Sequence, residues 1–224
     1  MIEKDQSRNI PEDIKRTVRK KSGFGCIFCG KPLYHYEHIE DWAIVKKHEA
    51  DNITLLCTEH HEKKRKKLLK REQILKKTLT PYNLIHGKSS PLQLDFEGND
   101  FAISFGDVRF SIQPDKQSQN NFIIPLIIDD LMMISFLIED EQLYFNLNVF
   151  NDENKLVLNI INNELIYSSS LWDITFESNN LIIRNEKGKK IFHIIINIPN
   201  NVIIKQGYFY HNGVQLFIHE RTLF

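Results

Sequence analysis

From residue 92 onward apolar and polar positions alternate with a period of two, in runs such as Phe101-Ala-Ile-Ser-Phe, Leu143-Tyr-Phe-Asn-Leu-Asn-Val and Leu156-Val-Leu-Asn-Ile. Successive side chains of a strand point to opposite faces, so this alternation predicts strands buried on one side. The runs recur about every 8 to 14 residues, separated by Asn-Asp, Asn-Asn, Lys-Gly and Asn-Gly pairs that suit tight turns. An all-β, sandwich-like domain is therefore expected over 89–224. Ahead of it the period changes. Ile10, Ile14 and Val18 share one face of a helix that starts at Pro11, carries Glu12 and Asp13 at its positive end, and stops at Ser22-Gly23. Leu33 to Glu40 reads as a strand, 41–50 as a loop anchored by Trp42, Ile44 and Val45, and 53–56 as a second strand entered through Asp51-Asn52. A helix capped by Thr58 and running to about Thr78 follows, with Leu68, Leu69, Ile74, Leu75 and Leu79 as its apolar face. Thr80-Pro81 and the stretch from His86 to Pro91 punctuate the chain, placing a boundary between domains 1–88 and 89–224 of an α+β protein.

Composition narrows the class. In 224 residues, 42% hydrophobic and 26% charged is ordinary for a globular chain, and no apolar run approaches the length of a membrane-spanning helix. Met1 to Asp5 lacks the basic start and apolar core of a signal peptide, and the three cysteines suit a reducing compartment, so a cytoplasmic location is expected. The net charge of zero hides an asymmetry. Residues 1–80 carry 19 Lys and Arg against 12 Asp and Glu, a balance of +7, and residues 81–224 carry the opposite balance of −7. The front of the chain suits a polyanion and the back does not.

The chemistry concentrates between residues 24 and 67, which hold all three cysteines and five of the nine histidines. Cys26-x-x-Cys29 and Cys57-x-x-His60 form two knuckles with the spacing of a tetrahedral site, and a structural Zn²⁺ is expected there. Glycines around the first knuckle permit its tight turn. Lys63, Lys64, Arg65 and Lys67 form a basic run suited to nucleic-acid backbone, although such runs are commonly only a solvated face.

A second set of residues, Glu37, His38, Asn52 and His61, is not required by the zinc. The succession Tyr36-Glu37-His38-Ile39, Asp51-Asn52-Ile53-Thr54-Leu55-Leu56-Cys57 and His60-His61-Glu62-Lys63-Lys64 resembles the HNH endonuclease family. The resemblance spans roughly residues 10–75, about a third of the chain. That family commonly reads Cys-x-x-Cys, Asp/Glu-His-Ile, Asn-Leu and Cys-x-x-Cys-His; here His60 stands for the last cysteine and Ile53 for the leucine. The resemblance implies a ββα-metal domain that hydrolyses phosphodiester bonds in DNA. His38 would be the general base, Glu37 and His61 would hold a catalytic Mg²⁺ or Mn²⁺, and Asn52 would brace the strand that carries the base. Adjacent residues on a helix differ by about 100° in direction, so His60 and His61 serve different sites. The Cys-x-x-His spacing gives His60 to zinc; the reverse assignment, with His61 on zinc, remains open at this stage.

A zinc-stabilised DNA-binding module without catalysis is the alternative, and it leaves the Glu37, His38, Asn52 and His61 set without a purpose. In the second domain His193, His211 and His219 are scattered and read as structural. A protein partner or self-association is expected there, which by analogy suits a regulated defence or restriction effector.

Overall fold

The computed structural model describes residues 9–115, 118, 120–166, 171–219 and 222–223. The chain divides into two compact units, Met1–Ser90 and Pro91–Phe224. The architecture is mixed α and β with strands predominating. No helix among the described residues is long and apolar enough to cross a membrane.

The first unit is built on a short antiparallel hairpin. Helix α1 (Glu12–Lys21) begins behind Pro11 and ends where Ser22 and Phe24 amides return to the Val18 and Arg19 carbonyls, with Gly23 at φ +69°. Strand β1 (His35–His38) pairs with β2 (Ile53–Leu56), Tyr36 opposite Leu55 and Glu37 opposite Thr54. All of β2 is buried because both faces are covered. Val18, Ile53 and Leu55 pack together on the α1 side, with Ile10, Ile14, Tyr34 and Tyr36 around them. Ile27, Ile39, Leu56 and Ile74 form the other layer, with Phe28 and Leu69 against it. Arg19, only 1% exposed, donates to the Tyr36 hydroxyl at 2.6 Å and pairs with Glu12 at 2.6 Å, which satisfies a charge that would otherwise be buried alone.

Between the strands, the stretch expected as loop contains one helical turn, α2 (Trp42–Val45), ended by Lys46 in the left-handed region at φ +47°. After β2 the single helix expected to reach Thr78 is instead two, α3 (Thr58–Arg65) and α4 (Arg71–Thr78). The break falls at Lys67, φ +60°, where the Leu68 and Leu69 amides fold back onto the Lys63 carbonyl. Helix α3 has no buried residue, and its end carries a run of like charges, whereas Leu69 and Ile74 both reach the Ile27 layer. A straight helix would not bring both to that layer, so the chain turns. Helix α5 (Tyr82–His86) follows Pro81. Its Asn83, 1% exposed, donates to the Gly23 carbonyl at 2.7 Å and fills the space beside Gly25 and Gly30, where any Cβ would overlap it. The Ser90 amide then bonds to the Gly30 carbonyl, so the first unit extends two residues past the boundary expected after 88.

The second unit consists of two sheets. The β3 (Phe101–Phe105) and β4 (Val108–Ile112) hairpin is followed by a five-stranded antiparallel meander: β5 (Asn120–Ile128), β6 (Leu131–Glu139), β7 (Gln142–Phe150), β8 (Leu156–Ile161) and β9 (Glu164–Ile166). The other sheet orders β10 (Asp173–Glu177), β11 (Asn180–Glu186), β12 (Lys189–Asn197), β13 (Asn201–His211), β14 (Val214–His219) and β15 (Thr222–Leu223), and takes in β3 parallel to the start of β13. Asp129-Asp130, Asp140-Glu141, Asn162-Asn163 and Asn212-Gly213 all have positive φ, the conformation that matches the twist of a two-residue hairpin. The sheets meet through a chain of aromatic rings, edge to face between Phe101 and Phe136 and stacked between Phe145 and Phe192. Phe101 meets Phe136 at 5.2 Å, Phe136 meets Phe145 at 5.2 Å, and Phe145 meets Phe192 at 6.3 Å.

Candidate functional site

The first knuckle is tied to the hairpin by the Ile27 amide, which donates to the Leu55 carbonyl at 3.1 Å and brings Cys26 beside Cys57 at the end of β2. The donor atoms of Cys26, Cys29, Cys57 and His60 then lie within 4.8 Å of one another. Cys29 Sγ and Cys57 Sγ are 3.6 Å apart, and His60 Nδ1 is 3.6 Å from Cys26 Sγ and 3.2 Å from Cys57 Sγ. Zinc bonds of about 2.3 Å to sulfur and about 2.0 Å to nitrogen, set tetrahedrally, separate ligand atoms by about 3.5 to 3.8 Å. The donor set and its spacing therefore fit a metal ion such as zinc. The Cys26 thiol is pulled down to about 5, chiefly by the hydrogen bond from Cys29, with backbone amides of Cys57, Cys29 and Phe28 adding to it. That same bond pushes Cys29 up, so the first thiolate of the pair forms at Cys26. Phe28 stacks on the His60 ring at 4.9 Å and holds its plane.

His61 points elsewhere. Its Nε2 lies 3.0 Å from Glu37 Oε2, and its ring rests against exposed His35 at 4.9 Å. The histidine that joins the three sulfurs is thus His60, and the adjacent residue opens a second cluster about a third of a turn away. The other Glu37 oxygen accepts from Lys64 Nζ at 2.6 Å, and Lys64 also reaches Asp41 at 3.2 Å. His38 is the last residue of β1, where alternation sends it away from Glu37. Its Nε2 meets His48 Nδ1 at 3.2 Å, and its ring lies 5.2 Å from Trp42. Burial holds the His38 imidazole below the usual range, with His48 and Lys64 acting the same way and Glu37 opposing. Asn52 closes the intervening segment. Its Oδ1 accepts from the Glu40 amide at 2.9 Å, its Nδ2 donates to the Glu40 carbonyl at 3.4 Å, and its carbonyl accepts from the Ile39 amide at 2.8 Å.

The basic run is less free than its sequence implies. Lys63 pairs with Glu59 at 2.6 Å, and Arg65 grips Glu62 through Nε and Nη2 at 2.7 and 2.8 Å. Lys64 turns inward to Glu37, a partner 27 positions away that no local pattern announces. Lys67 stands exposed at the helix break. A groove of about 710 Å³ opens beside Glu37 and His61, lined by Ile39, Ile44 and Leu69 and by Lys64, Lys67, Lys70 and Arg71, with Glu40, Asp41 and Glu72 between them.

Trp42 and Asp41 acquire roles that sequence reading did not give them, one stacking flat on His48 at 4.4 Å and 20° and the other holding Lys64. A tryptophan directly after the acidic pair Glu40-Asp41 was the available signal. Asn83 had none, because the glycines it fills are more than fifty positions upstream. In the second unit His193 bonds Asn180 at 2.8 Å and His211 rests on Phe150, both structural contacts. That unit's acidity gathers on a concave surface of about 820 Å³ bearing Asp95, Glu97, Asp115, Glu139, Asp140 and Glu141. Comparison with protein-family models, with curated proteins and with solved structures finds no match to this chain, so its chemistry rests on its own geometry.

Proposed function

We propose that this protein is a metal-dependent nuclease of the HNH type that hydrolyses phosphodiester bonds in DNA. The observation that carries the reading is the meeting of Glu37 and His61 at 3.0 Å, one residue from a partly buried His38 whose pKa burial lowers, in a place where a zinc staple needs none of the three. The β1, β2 and α3 succession is read as a ββα-metal motif, with the Cys26, Cys29, Cys57 and His60 cluster as its structural zinc site.

His38, its pKa lowered by burial, takes the proton of a water aimed in line at phosphorus. A Mg²⁺ or Mn²⁺ held by Glu37 and His61 would stabilise the charge that develops on a non-bridging and on the leaving oxygen. Lys64 supplies the counter-charge to the Glu37 carboxylate and is itself held by Asp41. Asn52 fixes the segment from 40 to 52 and with it the end of β1. Lys67, exposed at the break between α3 and α4, supplies phosphate contact, with Lys63 and Arg65, exposed but paired with Glu59 and Glu62, beside it, whereas Lys64 is turned inward to Glu37. The acidic second unit is read as the surface for a protein partner or for a second copy of the chain.

The test is incubation of the purified chain with supercoiled plasmid, single-stranded DNA and RNA, with Mg²⁺, Mn²⁺ or EDTA, beside His38→Ala. Metal-dependent nicking of plasmid that His38→Ala loses while keeping its fold and DNA affinity is the expected result. Binding without cleavage under every condition would sink the nuclease and favour the non-catalytic zinc-stabilised DNA-binding module.

A further inference from the structure

We propose that His48 is a positioning residue for His38, accepting a hydrogen bond from His38 Nε2–H and holding the base in the tautomer whose Nδ1 lone pair faces water. The inference rests on the nuclease reading above and adds the group that makes His38 competent. Its geometric basis is the 3.2 Å contact between His38 Nε2 and His48 Nδ1.

A neutral imidazole has one donor and one acceptor nitrogen, and the bond that one nitrogen makes decides what the other offers. If His48 Nδ1–H were the donor, His38 would spend its only lone pair on His48 and present a proton at Nδ1. It would then have no basic nitrogen left. Only the opposite polarity, His38 Nε2–H to a His48 Nδ1 lone pair, leaves His38 able to act as a base.

The fold gives His48 a fixed frame for this. Trp42 lies flat against its ring at 4.4 Å and 20°. Lys46, left-handed at φ +47°, turns the chain after α2 so that 48 comes back over 42. The two Asn52 side-chain bonds to the Glu40 backbone then close the segment between residues 40 and 52. Both imidazoles are half-buried, so water competes weakly for the bond. Polar neighbours that orient a functional histidine are commonly worth about 10- to 100-fold in activity.

Two substitutions separate the bond from the packing. His48→Phe keeps a ring against Trp42 and removes the acceptor; His48→Asn loses the stack but sets an amide oxygen near the position of Nδ1. In full-length protein with ¹⁵N-labelled histidine, long-range ¹⁵N–¹H spectra taken where the rings are neutral report the tautomer directly, with His38 signals assigned by their loss in His38→Ala. The expected result is an Nε2–H tautomer of His38 in the wild type, a tautomer mixture in His48→Phe, and return of the single tautomer in His48→Asn. Plasmid cleavage should follow, with kcat falling about 10- to 100-fold and KM unchanged in His48→Phe, and recovery in His48→Asn. A wild-type His38 protonated at Nδ1, or a His48→Phe variant with tautomer and kcat unchanged, would overturn the proposal. A wild-type chain that cuts nothing yet shows the Nε2–H tautomer, lost in His48→Phe, would sink the nuclease reading and leave the hydrogen bond assigned.

Discussion

Two side-chain clusters leave the first turn of α3 from neighbouring residues, and they are built to opposite specifications. The His60 cluster is closed: four donor atoms within 4.8 Å converge, three of them sulfur, with Cys26 and Cys57 buried and a phenylalanine across the imidazole. The His61 cluster is open. It has one imidazole and one carboxylate, a lysine and an aspartate beside them, and a groove of about 710 Å³ in front. Soft donors in a complete tetrahedral set hold an ion permanently and leave no position for a reactant. Hard donors in an incomplete set leave positions for water and phosphate. The contrast teaches that a closed donor set and an open one can share one helical turn, provided adjacent side chains diverge.

The strongest way to break this contrast is to open the closed cluster. Cys26→Ser should cost the bound metal and the fold of the first unit together, because structural zinc contributes about 10 kcal/mol or more to small zinc modules. Metal content and the helical circular dichroism signal measure both losses; a folded, metal-free and active variant would remove zinc as the staple. His61→Ala should behave differently, retaining zinc and helicity while cleavage falls by about 100-fold or more, as expected when a divalent-metal ligand is removed. Loss of zinc from that variant would mean that the two clusters are not separate.

A smaller effect should appear in the pH profile. As the proposed base His38 must be unprotonated, and its pKa is lowered by burial, by His48 and by Lys64. Activity should therefore fall on the acid side only as pH drops through a value below the ordinary imidazole pKa of about 6.5. An acid limb centred at or above that value would exclude His38 as the base.

The least effect is expected from Lys63 and Arg65, whose charges are already met by Glu59 and Glu62. Neutralising both should change the slope of log affinity against log salt by less than about 1, whereas Lys67→Ala should lower it by about 1. A steep loss from the Lys63 and Arg65 pair would restore the whole run as a phosphate track.

How much was legible in the sequence follows the range of the forces involved. Helix α1 was readable because Pro11, the acidic first turn and Ser22-Gly23 act within a few residues of where they stand. The alternating runs and paired turn residues of the second unit are local in the same sense, and strands with positive-φ hairpin turns follow from them. The four donors that converge at Cys26, Cys29, Cys57 and His60 were readable because a coordination sphere fixes spacing within each knuckle. The break at Lys67 was not, since propensity favours one continuous helix through 58–78 and only the demand of Leu69 and Ile74 for the Ile27 layer overrides it. Lys64 was misplaced on the outside for a similar reason: its partner Glu37 lies on another element. The buried Arg19 and Asn83 belong with these, each satisfied by groups far along the chain.

The divergence of His60 and His61 also bears on how this region tolerates change over generations. Point substitutions touch one cluster at a time. A single inserted or deleted codon between Cys57 and His60 would rotate everything after it by about 100° and misdirect both imidazoles in one event. The segment is therefore open to drift by replacement and closed to drift in length. In the second unit the side chains of the Asp129-Asp130 and Asp140-Glu141 turns are exposed, and inserted residues there would move none of the Cys26, Cys29, Cys57 and His60 donors.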